Sequence, residues 1–293
     1  MSPIESCNID DNKRVIYLPH HGVVKETSST TKLRVVFDAS SKSSTGLSLN
    51  DVLMTGPILQ DTLIQIIMRF RFYNVAVTGD LEKMYRQVSV RDSDRDCQRI
   101  LWRFSMNEPI KEYQLNTVTY GQASASYLAI RSVRQLAEEN RDTFPLAAEC
   151  VLNDMYVDDI ISGAPSMEEA RRLKDQLIDL MSKACFRVHK WHSNVSEVVH
   201  GSDDEENPET VRLKLNDTIR TLGLIWEPNT DDFIFTVDFH KQIHTKRELL
   251  SEISKLFDPL GLLGPVITLA KILMQETWKA GVDWDSPLPD SVL

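Results

Sequence analysis

Two adjacent aspartates, Asp158 and Asp159, sit between apolar stretches, AAECVLNDMYV before them and IISG after. Burying neighbouring carboxylates is costly unless a cation accompanies them. The segment reads as an apolar strand, a tight turn carrying both acids, and a second apolar strand, which puts the acids at the tip of a hairpin. Taken alone, the pair reads more readily as an exposed Asp-Asp turn. Asp80 alters that balance. It ends another apolar run, NVAVTG, and opens LEKMYRQV. A strand-terminal acid beside an acidic hairpin gathers oxygen donors at one sheet end, the ligand type that hard divalent cations take. Two such cations a few ångströms apart can activate a 3′-hydroxyl and stabilise a leaving pyrophosphate.

Periodicity names the elements that must hold these acids. Segment 14–38 reads as strands, RVIYLPHHGVV and LRVVFDAS, around the polar turn KETSSTTK. Residues 60–72 carry apolar side chains near i, i+3 and i+4 and predict a helix. DCQRILWRF followed by KEYQLNTV predicts a hairpin, and SASYLAIRSVRQLAEEN a helix. MEEARRLKDQLIDLMSKA is an amphipathic helix with Ser166 as its N-cap. A hairpin is expected around Pro228-Asn229, and two helices, KRELLSEISKLF and PVITLAKILMQETW, follow, broken by DPLGLLGP. The order β-α-β-β-α-β around the acids suggests an α+β, ferredoxin-like split βαβ arrangement.

The chain's 293 residues, 42% of them apolar, suffice for a sizeable core. No apolar run reaches the roughly 20 residues of a membrane span, and MSPIESCNIDDNKR lacks the apolar centre of a signal peptide. Cys7, Cys97, Cys150 and Cys185 show no paired spacing, which suggests a reducing compartment and gives no hint of zinc. The net charge of −10 argues against a nucleic-acid binder until its distribution is read. Lys13, Arg14, Lys25, Lys32 and Arg34 face only Glu26 within residues 12–34, and residues 69–103 are also net basic. Much of the acid lies elsewhere, the run 203–206 and the segment 281–293 among it. The pairs His20-His21 and His189/His192 lack a cysteine or third histidine at matching spacing and read as structural.

Asp80-Leu81-Glu82-Lys83-Met84-Tyr85 resembles motif A of reverse transcriptases, Tyr156-Val157-Asp158-Asp159 resembles the YxDD box of motif C, and the stretch from Tyr120 through Gly121 and Gln122 to Ala129 resembles motif B. Upstream, the stretch from Lys32 through Arg34 to Ser40 resembles the fingers motif that binds the triphosphate. The order of these motifs is the family's order. YLPHHGVVKE, SLNDVLMTGP, CFRVHKWHSN, LGLIWEP and KRELLSEISKLFDPLGLLGPV narrow the resemblance to the reverse transcriptase domain of BEL/Pao-type LTR retrotransposon Pol polyproteins, over nearly the whole chain.

The resemblance implies a right-hand polymerase: fingers at 1–56 and 91–119, a ferredoxin-like palm at 57–90 and 120–239, and the start of a thumb or connection at 240–293. It implies an RNA-directed DNA polymerase adding dNTPs to a primer 3′-hydroxyl on an RNA or DNA template. Two Mg²⁺ ions, or Mn²⁺ in their place, would be held by Asp80, Asp158 and Asp159 with the Leu81 carbonyl. Arg34, with Lys25 and Lys32, would bind the triphosphate, Arg34 being alternatively a surface strand arginine. Tyr85 would be the steric gate against a ribose 2′-hydroxyl, or a core tyrosine. Gly121, Gln122 and Tyr156 would line the nucleotide pocket. Lys190 would protonate pyrophosphate, or be a solvated lysine. Leu222, Gly223 and Trp226 would form the primer grip, Trp226 being alternatively plain core.

Two departures stand out: Ser126 replaces the family's proline, and Ala184-Cys185 replaces its usual glycines. No aspartic protease triplet appears, and no ribonuclease H segment is expected after the thumb. The chain is therefore expected to be a piece of a Pol polyprotein whose other parts are protease, ribonuclease H and integrase. It would work in the cytoplasm, in a virus-like particle. The competing readings are an inactive transposon-derived fragment that keeps the fold and nucleic-acid binding, and a two-metal nuclease.

Overall fold

The computed structural model of this chain describes residues 1–4, 15–24, 33–199, 219–221, 224–235, 243–256, 258 and 260–289. Lys25, Lys32, Leu222 and Gly223 lie outside them. In chain order the elements are β1 (Ser2–Pro3), β2 (His20–Val24), β3 (Leu33–Phe37), α1 (Leu49–Val52), α2 (Leu63–Phe70), β4 (Val75–Leu81), α3 (Met84–Gln87), β5 (Arg99–Trp102) and β6 (Lys111–Gln114). Then come α4 (Ala125–Glu139), α5 (Pro145–Asn153), β7 (Met155–Tyr156), β8 (Asp159–Ala164), α6 (Met167–Ser182), β9 (Val188–Ser193) and α7 (Ser196–Val199). The last are β10 (Ile219–Thr221), β11 (Leu224–Glu227), β12 (Asp232–Ile234), α8 (Lys246–Ile253) and α9 (Gly264–Lys279).

An antiparallel sheet in the order β7-β8-β4-β9 carries all three acids. Of its two inner strands, β4 is buried without alternation, Val75, Ala76, Val77, Thr78 and Leu81 all being nearly inaccessible. Both of its faces are covered. One packs on α4, α5 and α6 through Leu81, Ala129, Val133, Ile160, Leu177 and Leu180. The other packs on α2 and β11 through Ile66, Phe70, Ala76, Ile161 and Trp226. Each fully buried leucine or isoleucine here contributes about 1.5–3 kcal/mol. The expected β-α-β-β-α-β order is present as β4, α4 with α5, β7, β8, α6 and β9.

Helix α6 shows how directly sequence made structure. The Ser166 hydroxyl accepts from the Glu169 N–H, and Glu168 and Glu169 sit in the positive first turn. Ala170, Leu173, Leu177, Leu180 and Met181 fall on one face and are buried. The helix stops where Phe186 N–H returns to the Met181 carbonyl at 3.0 Å and Cys185 takes φ +61°. Glycine is the natural occupant of that conformation, so Cys185 carries local strain.

One element differs from expectation. The stretch before Met155 was read as a strand, and Pro145–Asn153 is a helix, α5, with Pro145 in its first turn. Its Ala147, Ala148, Cys150 and Val151 are buried among other helices. A short apolar run bears no periodicity that separates a buried strand from a buried helix.

The remaining strands form smaller sheets: β2 with β3, β1-β6-β5 and β10-β11-β12. Leu18, Phe37, Leu49, Ile100, Tyr113 and Leu115 make a second core joining the first two of these. No helix among the described residues is long and apolar enough to cross a membrane.

Candidate active site

β4 delivers Asp80 to the sheet end, opposite Asp159 in the ladder with β8. β7 and β8 are joined by the two residues Val157 and Asp158, with Tyr156 paired to Asp159. Val157 has φ +57°, a conformation that costs a β-branched residue about 1–2 kcal/mol. The Asp158 carbonyl accepts from the Leu81 N–H at 2.8 Å, fastening the turn to the end of β4.

The other side of Asp80 is shaped by an irregularity in β9. Thr78 pairs with His192 but Asp80 with His189, so β9 holds one extra residue there. Such a bulge re-aims side chains that would otherwise alternate between faces. Lys190, inside it, has φ +51°. A side chain added at Gly79 would meet Val188 at 2.9 Å, so only glycine permits this close crossing. As a result both His189 and Lys190 reach Asp80: His189 Nε2 lies 3.0 Å from Oδ1, and Lys190 Nζ 2.9 Å from Oδ2. His189, read from sequence as structural, thus belongs to this cluster.

The charges at this end are unbalanced. Burial, then repulsion from Asp158 and Asp80, lifts the Asp159 carboxyl to about 7 against the pull of Lys190. Burial, then Asp80, also raises Asp158, opposed by its own backbone hydrogen bond and by Lys190. Among the described residues no three His, Cys, Asp or Glu side chains close into a metal cage, and both Asp80 oxygens are engaged, by Lys190 and His189. The donor set nevertheless fits a hard divalent cation: all carboxylate, crowded and short of positive charge. The Lys190–Asp80 pair is half exposed on the lysine side and worth about 0–1 kcal/mol, too little to hold off an ion of twice the charge.

A stability measurement follows from Asp159. Its carboxyl is raised from 3.8 to about 7 in the folded chain. The protonated form therefore stabilises the fold fully below the lower value, and that contribution disappears as pH rises through about 7. In chelator, Asp159→Asn should melt increasingly above wild type as pH goes from 5 to 8. A constant difference between the two melting temperatures would refute the crowding of these acids.

The other expected site residues are scattered in role. Tyr85 is half-buried against the helical core, its hydroxyl 3.0 Å from Ser126 Oγ. Ser126 therefore ties the tyrosine rather than capping α4, whose N-cap Ser124 makes no side-chain cap bond. Gly121 has φ +94°, and a Cβ there would strike the Phe37 carbonyl at 2.4 Å, so glycine joins the turn before α4 to β3. Gln122 Nε2 donates to the buried Gln98 at 2.8 Å. Arg34 is exposed on β3. Tyr156 packs partly into the cluster of Ile66, Phe70 and Trp226. Trp226 itself is 2% exposed, edge-on to Phe70, with its Nε1 donating to Asp231 at 2.9 Å. It belongs to the core.

Sequence reading passed over two residues. Asn50 bonds both the Gly121 carbonyl and the Ala123 N–H, bracing the turn of Gln122. Asp154, 4% exposed, accepts from Arg69 Nε, the Tyr73 hydroxyl and Ser162 Oγ behind the acidic hairpin.

Two solved structures share this architecture. A foamy viral protease–reverse transcriptase in complex with an RNA/DNA hybrid aligns with 90% of this chain at 14% identity and a TM-score of 0.58. A foamy viral protease–reverse transcriptase dRH in complex with double-stranded DNA aligns with 94% at 15% identity and a TM-score of 0.61. The fold is a mixed α/β one, like theirs. This chain spans 31% and 41% of those two chains. The family described as the Pao retrotransposon-like RNaseH-like domain matches residues 245–293, and no curated protein matches. The structural matches show the fold, and the family match covers the C-terminal segment alone. The matched residues fall within the segment 240–293, expected from sequence as the start of a thumb or connection with no ribonuclease H segment after it. Among the described residues the acids of this segment are engaged separately and hold no common site. Glu248 caps α8, Glu252 pairs with Lys255, Asp258 accepts from Leu262 and Leu263, Glu276 pairs with Lys279, and Asp285 with Arg247.

Proposed function

We propose that the chain is the polymerase core of a retroelement Pol protein, an RNA-directed DNA polymerase that extends a primer 3′-hydroxyl with dNTPs. The observation that carries this is the meeting of Asp80, Asp158, Asp159 and Lys190 at one end of an antiparallel sheet. In this reading residues 1–56 and 91–119 are fingers, 57–90 and 120–239 palm, and 240–293 the start of the thumb or connection. The template, the primer and the Pol polyprotein context are those of such an enzyme, and the foamy viral relatives bound to a hybrid and to duplex DNA favour them.

Asp80, Asp158 and Asp159, with the Leu81 carbonyl, would hold two Mg²⁺ or Mn²⁺ ions. Held there, such ions would supply activation of the attacking hydroxyl and charge neutralisation on the leaving pyrophosphate. Asp158 and Asp159 would hold the ions as carboxylates, the added positive charge offsetting the burial and mutual repulsion that raise both groups. Lys190 leaves Asp80 and brings a proton and a positive charge to the departing phosphate. Arg34 grips the triphosphate by charge-assisted bonds. Gly121 and Gln122 line the base side of the pocket, with Tyr156 at its edge.

A second reading has its own support. The match at 245–293 favours hydrolysis of RNA in a hybrid. Purified chain with a homopolymer RNA template–primer, Mg²⁺ or Mn²⁺ and labelled dNTPs separates the two. Template-dependent incorporation is expected. Release of labelled RNA from a hybrid without incorporation would transfer the function to the second reading, and neither activity from folded protein would mark an inactive element.

The sugar gate is a separate expectation. Tyr85→Val should admit ribonucleotides while keeping most dNTP use, because removing the ring removes the clash with a 2′-hydroxyl. Competition between dNTP and rNTP measures it. An unchanged preference would return Tyr85 to a packing role beside Ser126.

A further inference from the structure

We infer that Gln60 is a positioning residue of the acidic hairpin, acting by holding Val157 in a backbone conformation that valine otherwise avoids. The inference rests on the reading of Asp158 and Asp159 as cation ligands.

Gln60 lies just before α2, 97 residues from Val157 in sequence. Its side-chain amide meets the hairpin as a neighbouring strand would. Nε2 donates to the Met155 carbonyl at 3.0 Å, and Oε1 accepts from the Val157 N–H at 3.1 Å. β7 is an edge strand in the order β7-β8-β4-β9, so its outward backbone groups have no strand to pair with, and each such group needs a partner. A single carboxamide offers the donor and the acceptor at the spacing the edge presents.

Val157 is where this matters. It is the first residue of the two-residue turn, at φ +57°, and the next residue is Asp158. The bond from its N–H to Gln60 fixes the peptide that enters the turn. The Asp158 carbonyl fixes the peptide that leaves it, through the Leu81 N–H. Released on the entering side, Val157 relaxes toward negative φ, and Asp158 rotates away from Asp80 and Asp159. Gln60, Tyr156 and Val157 also share the wall of an open cleft of about 580 Å³. The amide thus supports the turn from the side of this cleft.

The test is made on the full 293-residue chain. Gln60→Met keeps the length of the side chain and removes both bonds. Val157→Gly is added to it, because glycine adopts positive φ freely. Mn²⁺ binding is measured by electron paramagnetic resonance without nucleic acid, together with kcat and KM in primer extension. Gln60→Met should weaken Mn²⁺ binding and lower kcat, each by roughly 10-fold, the scale for lost support of a metal ligand. KM for the template–primer should stay unchanged. Gln60→Met/Val157→Gly should regain most of both losses, which repair of general packing would not achieve. Should Gln60→Met not fold, Gln60→Asn, too short to reach both atoms, makes the same comparison. Wild-type Mn²⁺ binding in the single variant, or no recovery in the double, overturns the inference. Equal Mn²⁺ binding by wild type and Asp158→Asn overturns the ligand reading beneath it as well.

Discussion

Asp158→Asn should cut template-directed incorporation steeply and leave the fold intact. The variant removes one anion from a turn already crowded by Asp159 and Asp80, so the metal-free protein should melt at the wild-type temperature or above it. Function moves the other way. An amide is a poor ligand for a hard cation, and the charge that develops on the phosphates in the transition state loses its counterpart. Removing one preorganised electrostatic partner of a transition state costs about 2.7–4 kcal/mol, or roughly 10²–10³ in rate. The measurement is single-nucleotide incorporation at saturating Mg²⁺, beside a melting curve in chelator. Incorporation within tenfold of wild type, by a folded variant, removes Asp158 from the chemistry. Opposite signs for stability and activity are what distinguish a functional acid from a structural one.

Asp154→Ala should do the reverse, destroying stability before chemistry. Asp154 is buried and takes three donors: Arg69 Nε at 3.0 Å, the Tyr73 hydroxyl at 3.0 Å and Ser162 Oγ at 2.7 Å. Arg69 also reaches the Asn153 carbonyl and Asp61. Removing the carboxylate leaves a half-buried guanidinium and two hydroxyls facing a vacant site. Breaking such a pair from one side costs about 3–5 kcal/mol, a large fraction of the 5–15 kcal/mol that stabilises a typical domain. Urea denaturation should show a lower midpoint with an unchanged slope. A midpoint shift worth under about 1 kcal/mol would mean that water replaces the carboxylate and the network is dispensable. Tyr73 reports the same network: burial and the Asp154 charge push its phenol up to about 12, so its absorbance should titrate only near that pH.

What could be read from sequence was what local pattern encodes. α6 announced itself through Ser166 and a regular apolar stripe, and the β11–β12 hairpin through Pro228-Asn229. The meeting of Asp80, Asp158 and Asp159 at one sheet end was legible because apolar runs flank them. Tertiary partners were not legible. Asp154 looked like one more polar residue near a turn, since its donors Arg69 and Tyr73 lie 85 and 81 residues away. His189 was set aside for want of a second metal-type ligand nearby, whereas its partner is a carboxylate 109 residues distant. The bulge that turns His189 and Lys190 to the same side leaves no mark in composition, because its left-handed residue is a lysine and not a glycine.

The strand order β7-β8-β4-β9 also sets a timetable. β4 is one of two inner strands, yet the partners on its two sides begin at Asp159 and Val188. During synthesis, at about 5–20 residues per second, its apolar residues and Asp80 must wait several seconds at least for either edge to be covered. Pairings of such long sequence separation are slow to close and lengthen the time an unpaired edge is exposed. The segments that can form meanwhile are local ones, α2 beside β4 and the β5–β6 hairpin. The site itself therefore comes into being late and all at once, when β9 docks and its bulge brings His189 and Lys190 onto an aspartate made long before.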